Sequence, residues 1–212
     1  MYHVLNRGVG RMRLFQTHDD FAAFERVMEA TLEDMPMRIC GHCLMANHWH
    51  FVLWPKQDGD LAAFMQKLTI THVTRWCRAK KRVGLGHVYQ GRYKSFPVQD
   101  DEHFFHVMRY VERNALQAQR CDQAEEWRWG SLWRYYNGTP AQKQLLSPWP
   151  LPRPRLWRQI VNQPQSEAEL NAIRQCVIKG RPLGDTAWVK RIAKRLGLEH
   201  SLRQPGRPRK NP

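Results

Sequence analysis

The segment Cys43-Leu44-Met45-Ala46-Asn47-His48-Trp49-His50-Phe51-Val52-Leu53-Trp54 limits the folds open to this chain more than any other. It is too apolar for a surface loop and rich in strand-forming Trp, Phe and Val. Side chains alternate faces along a strand, so His48 and His50 would stand on one face, roughly 6.5–7 Å apart along the backbone. Two imidazoles so placed can converge on one metal ion. The same spacing suits two half-buried strand histidines bonded to their neighbours, and spacing alone leaves both readings open.

The surroundings predict an α+β fold. Residues 37–44 and 48–54 read as a hairpin across a short turn at 45–47. Residues 2–6 form a first strand, ended near Gly8 and Gly10. Asp19 or Asp20 is the expected cap of a helix reaching about Glu33, and Asp60 that of a second helix with a densely basic end. Residues 84–91 are turn-rich. Residues 93–98 form a last strand, at an edge because of Pro97. A helix capped by Asp100 or Asp101 runs to about Ala118. The order β-α-β-β-α-β-α fits an antiparallel sheet with helices on one face. The aromatic stretch 127–136 is expected to close the core irregularly. A catalytic domain over 1–137 is expected, then a Pro- and Trp-rich linker over 138–165, then a basic helical module with a disordered basic tail over 166–212. That module begins at a capping box, Ser166 with Glu169, and breaks at 180–184.

Charge points to the partner. The 212 residues carry a net +15, favouring a polyanion, nucleic acid or anionic membrane. No apolar stretch approaches the ~20 residues that span a bilayer. Nothing resembling a signal peptide starts the sequence, and five cysteines lack the spacing of a disulfide framework. A cytoplasmic, nucleoid-associated protein that binds nucleic acid is therefore expected. Residues 151–212 hold 14 Lys and Arg against 4 Asp and Glu, two thirds of the excess. The closing Gly206-Arg207-Pro208-Arg209-Lys210 resembles basic hooks that enter narrow minor grooves, and equally suits a solubilising tail.

Among six tyrosines, Tyr110 lies in the helical run Arg109-Tyr110-Val111-Glu112-Arg113-Asn114. Residues four apart share a helix face, so Tyr110 and Asn114 point together. A phenol beside an amide oxygen suits a phosphate site, and a core Tyr with a surface Asn suits the same spacing.

Taken together, Met45-Ala46-Asn47-His48-Trp49-His50-Phe51-Val52-Leu53, Gly91-Arg92-Tyr93-Lys94-Ser95 and the run 109–114 resemble the single-tyrosine transposases of the HUH superfamily. The nearer resemblance is to the REP-associated tyrosine transposases, supported by Asn6-Arg7-Gly8, by Gly180-Arg181-Pro182-Leu183-Gly184-Asp185 with Trp188, and by the basic tail. The resemblance implies a ferredoxin-like core with the histidine pair on a central strand. It implies that His48, His50 and Asn114 bind a divalent cation, Mg2+ or Mn2+, and that Tyr110 is the nucleophile forming a 5′-phosphotyrosine. Ala115 stands where members often have Pro, and the start before the first strand is short.

The implied substrate is single-stranded DNA with a REP-type palindromic hairpin, handled by a monomer in preference to a homodimer. Candidate DNA contacts are Asn6 and Arg7, then Arg75, Arg78, Lys80, Lys81 and Arg82 at the basic helix end, and Arg92 and Lys94. In the C-terminal module they are Arg181, Lys190, Arg191 and Lys194, with Arg207, Arg209 and Lys210 in the tail. Two rival readings remain. Cys40 and Cys43 with His48 and His50 would make a structural zinc site, although on a strand the two thiols face opposite sides. A DNA-binding protein without catalytic turnover is the other.

Overall fold

The computed structural model describes residues 1–203. Strands β1 (Tyr2–Arg7), β2 (Arg38–Met45), β3 (His48–Trp54) and β4 (Lys94–Pro97) form one antiparallel sheet in the order β2-β3-β1-β4. Helices α1 (His18–Asp34) and α2 (Asp60–Ala79) join β1 to β2 and β3 to β4. This connectivity is the expected ferredoxin-like one. The helix caps fall slightly before their expected places. Thr17 caps α1, and Asp20 returns the bond to the Thr17 backbone as the third residue of a capping box. Gly59, at φ 92°, precedes α2, while the Asp60 carboxylate accepts from the backbone of Lys56 and Gln57.

Alternation along β3 divides the interior. Trp49, Phe51 and Leu53 meet Phe24, Val27 and Met28 of α1 and Phe64, Met65 and Leu68 of α2. Helices were expected on this one face. The other face is covered as well, because Val52 and its neighbours Cys43, Met45 and Phe96 are also apolar. Here lie α3 (Glu102–Glu112), α7 (Trp157–Asn162) and α8 (Glu167–Lys179), contributing Val107, Met108, Trp157, Val161, Ile173 and Cys176. Gly41 lets α3 approach β2 closely, since a Cβ there would stand 2.3 Å from the Met108 methyl carbon.

After α3 the helix is interrupted at Arg113 and resumes as α4 (Asn114–Gln117). The aromatic stretch does close the core, but it does so in regular structure. Gly130 bridges to Cys43 beside β2, and α5 (Ser131–Asn137) follows. Arg134 of α5 reaches Glu25 of α1 in a buried ion pair. Segment 138–165, expected as a linker, is packed. It contains α6 (Pro140–Lys143) and α7, Trp157 is fully buried, and the Trp149 indole donates to the Cys40 carbonyl at 2.8 Å. Large aromatic side chains win over Pro-rich composition here because they fill the second core.

The C-terminal helices sit on the same framework. Gly180, at φ 67°, ends α8, and Leu183 bridges to Val98 in parallel just beyond β4. Asp185 then caps α9 (Thr186–Arg195) and bonds to Gln99. All five cysteines are free thiols. Among the described residues no helix is long and apolar enough to cross a membrane.

Candidate active site

The two central strands bring the site together. Antiparallel register sets Arg7 opposite His48, Leu5 opposite His50 and His3 opposite Val52. Partners across a ladder share a face. His3, Leu5, Arg7, His48 and His50 therefore stand on the face that α3 covers. Gly8 fixes the turn after Arg7, where a Cβ would lie 2.3 Å from the Met12 carbonyl oxygen.

From α3 and α4, Tyr110 and Asn114 project into the same cleft. It has a volume of about 430 Å3 and is lined by Arg7, His48, His50, Tyr110, Asn114 and Gln117, with Arg174 and Ile178 of α8 on the far wall. The Tyr110 ring stands edge-on to His50, centroids 5.7 Å apart. Burial raises the pKa of its phenol, and Arg174 and Arg7 pull it back down.

Burial dominates at both histidines. It pushes His48 down to about 4, aided by Arg7 and opposed by Asn114. It pushes His50 well below the ordinary value, aided by His3, His48 and Arg7. Both rings are thus neutral at neutral pH, the form that ligates metals. His48 Nδ1 lies 2.7 Å from Asn47 Oδ1, and His48 Nε2 lies 3.3 Å from Asn114 Oδ1. A neutral imidazole has one N–H and cannot serve both oxygens. With the proton on the closer contact, the Nε2 lone pair faces an amide oxygen. The Asn114 amide also reaches His50, with Nδ2 3.4 Å from His50 Nε2. His50 Nδ1 in turn lies 3.0 Å from His3 Nε2. The Nε2 atoms of both rings thus border the Asn114 amide, each ring is held through its other nitrogen, and with the amide oxygen they would be a donor set suited to a divalent cation.

The zinc set does not gather. Among the described residues no three His, Cys, Asp or Glu side chains converge on a possible metal position. The expected separation of the thiols also fails, because a bulge between Ile39 and Gly41 turns Cys40 and Cys43 into the same apolar core. Burial pushes the Cys40 thiol up to about 12 and that of Cys43 higher still. Tyr89 is held in the core by its bonds. Its buried hydroxyl accepts from Trp49 Nε1 at 2.9 Å and lies 2.7 Å from His72 Nδ1.

The candidate DNA contacts divide. Arg7, Arg92 and Lys94 line a second cavity, of about 280 Å3, which shares Leu5, Arg7 and Val177 with the first. Asn6 is buried and engaged, donating to the Gly91 carbonyl and accepting from the Arg7 backbone. Arg75, Arg78, Lys81 and Arg82 are exposed at and beyond the end of α2, whereas Lys80 is paired with Asp20 at 2.9 Å. Arg181, Lys190, Arg191 and Lys194 are exposed on the C-terminal helices and the break between them. Arg207, Arg209 and Lys210 lie outside the described residues. Sequence reasoning missed His3 and Arg174. Neither belongs to a spaced motif, and both reach the site only through strand register or helix packing.

A family model described as "Transposase IS200 like" matches residues 1–114. Among solved structures, one of a REP-associated tyrosine transposase bound to a REP hairpin is similar in fold. The identity is 17% and the TM-score 0.52, over 66% of this chain and 82% of that one. No curated protein matches the chain.

Proposed function

The chain belongs to the IS200-like transposase family, and from that premise we propose that it cuts and rejoins single-stranded DNA through Tyr110. The observation that carries this reading is the meeting of Tyr110, His48, His50 and Asn114 in one cleft. The scissile phosphate enters between Tyr110 and the histidine pair. Tyr110 Oη loses its proton to water and attacks phosphorus. The new O–P bond replaces the bond to the 3′ oxygen, which leaves and takes up a proton. The products are a 5′-phosphotyrosine and a free 3′-OH. The linkage keeps the phosphodiester energy, so a later 3′-OH can reverse the step without ATP.

Arg7 and Arg174 are the cations that favour the phenolate against burial. A divalent cation, Mg2+ or Mn2+, held by His48 Nε2, His50 Nε2 and Asn114 Oδ1 would draw charge from the phosphate oxygens. The backbone on either side of the cut follows Arg7, Arg92 and Lys94. A hairpin of the REP type is the proposed substrate feature, by analogy with the structural neighbour. A monomer is the proposed working unit.

The test uses hairpin-bearing single-stranded DNA with Mn2+ or Mg2+. Wild type is expected to give a covalent adduct that survives SDS, and Tyr110→Phe none. An equal yield from Tyr110→Phe overturns the nucleophile. Tight DNA binding with no adduct under any divalent cation favours a binding protein without turnover.

A further inference from the structure

His3 lies beneath the cleft. It is fully buried on β1, with its ring wedged between Phe96 and Tyr110 at centroid distances of 4.9 and 5.9 Å. Its Nε2 stands 3.0 Å from His50 Nδ1, and the two ring planes are 10° apart. Its own Nδ1 is buried with no hydrogen-bond partner among the described residues. An imidazole in apolar surroundings with one orphaned nitrogen is a poor packing choice, since an apolar side chain would avoid stranding a polar atom.

A proton must sit between the two rings for the contact to be attractive, and its side decides what His50 offers the cleft. If His3 donates, His50 carries its proton on Nε2 and has no lone pair facing Asn114. If His50 Nδ1 donates, His3 keeps its own proton on Nδ1, and the His50 Nε2 lone pair points into the cleft, where the Asn114 amide nitrogen faces it at 3.4 Å. Asn47 disposes of the same choice at His48. The Asn47 Nδ2 amide group donates to the Arg11 carbonyl, which leaves Oδ1 to accept from His48 Nδ1.

We propose that His3 is a positioning residue, whose Nε2 accepts the proton of His50 Nδ1 and so keeps the His50 Nε2 lone pair turned to the cleft. This rests on the reading of His50 as a cation ligand, and it assigns His50 a partner inside the core. Metal-bound histidines ordinarily bond through the second nitrogen to a carboxylate, carbonyl or water. Here an imidazole takes that place.

Two measurements on the full chain test it. The first is 15N NMR of the imidazole nitrogens of metal-free protein at neutral pH. His50 is expected to be protonated at Nδ1 and bare at Nε2. The second is Mn2+ titration followed by electron paramagnetic resonance. His3→Phe fills the space without an acceptor and is expected to weaken Mn2+ binding by about 10- to 100-fold. His3→Gln returns an acceptor at the reach of Nε2 and is expected to restore binding and the His50 tautomer. A His50 bare at Nδ1 in wild type overturns the proposal, as does a folded His3→Phe with wild-type affinity. A wild type that binds no Mn2+ sinks the cation reading instead, and the NMR result then decides the role of His3 alone.

Discussion

Two tyrosines separate structure from chemistry. Tyr89 holds the indole of Trp49 on one side and His72 on the other, and all three are buried. Tyr89→Phe removes one oxygen and strands two groups, the Trp49 N–H and the His72 Nδ1 lone pair. Each stranded group costs about 1–3 kcal/mol, the N–H more than the lone pair, so the variant should lose roughly 3 kcal/mol. For a chain of this size that lowers the melting temperature by roughly 6–12 °C. The Tyr110 hydroxyl has no hydrogen-bond partner among the described residues and borders the cleft. Tyr110→Phe should therefore stay within about 0.5 kcal/mol of wild type. Urea unfolding and SDS-resistant adduct formation, run on both variants, give a crossed result. Tyr89→Phe is expected to be unstable and still form adduct, Tyr110→Phe stable and inactive. A Tyr89→Phe protein as stable as wild type refutes the buried relay. One that loses the adduct while Tyr110→Phe keeps it refutes the assignment of the nucleophile.

Arg174→Ala removes the larger of the two charges that lower the Tyr110 pKa, so the pH of half-maximal adduct formation should rise; an unchanged profile places Arg174 outside the chemistry. Acid should destabilise the fold through its buried histidines. His3 and His72 are both held down to about 3 by burial, against ~6.5 when unfolded. The unfolded chain therefore binds protons first, and stability that is complete above pH ~6.5 is lost as pH falls toward 3. At pH 5 each contributes a loss of up to about 2 kcal/mol, and denaturant midpoints equal at pH 7 and 5 would contradict this. Arg92 and Lys94 are expected to contact phosphates. Replacing both with Ala should reduce the slope of log affinity against log salt for single-stranded DNA by roughly 1.4, and an unchanged slope removes them from the path.

What the sequence reveals follows from what is local. The alternation in β3 places His48 and His50 together, and the helical spacing places Tyr110 with Asn114, because both are periodicities of a single element. The β-bulge at Cys40 is not written in any local pattern, so the thiols read as facing apart when they share a core. His3 is equally silent. It sits five residues before the first glycine as an ordinary strand residue, and only the pairing of β1 with β3 brings it to His50. Segment 138–165 misleads in the other direction. Its Pro- and Trp-rich composition reads as a linker, while Trp149, Trp157 and Val161 are fitted into the second core.

The helix that carries Tyr110 owes its position to those unread contacts. In the run 109–114 only Tyr110 and Asn114 line the cleft. Arg109 donates to the carbonyls of Gln163 and Pro164, and Arg113 to those of Val161 and Asn162. Glu112 is buried, with its carboxylate accepting from Ser131 and from the Trp157 indole. The charged residues of the motif are thus brackets, and what they grip lies beyond residue 114, where the family match ends. Hydrogen bonds to a buried carboxylate and to guanidinium groups are among the stronger ones in a fold. The strands fix the histidines, but the depth and rotation of α3 against them are set by α5, α7 and the segment leading into α8. The segments after residue 114 therefore help to set the geometry of the cleft.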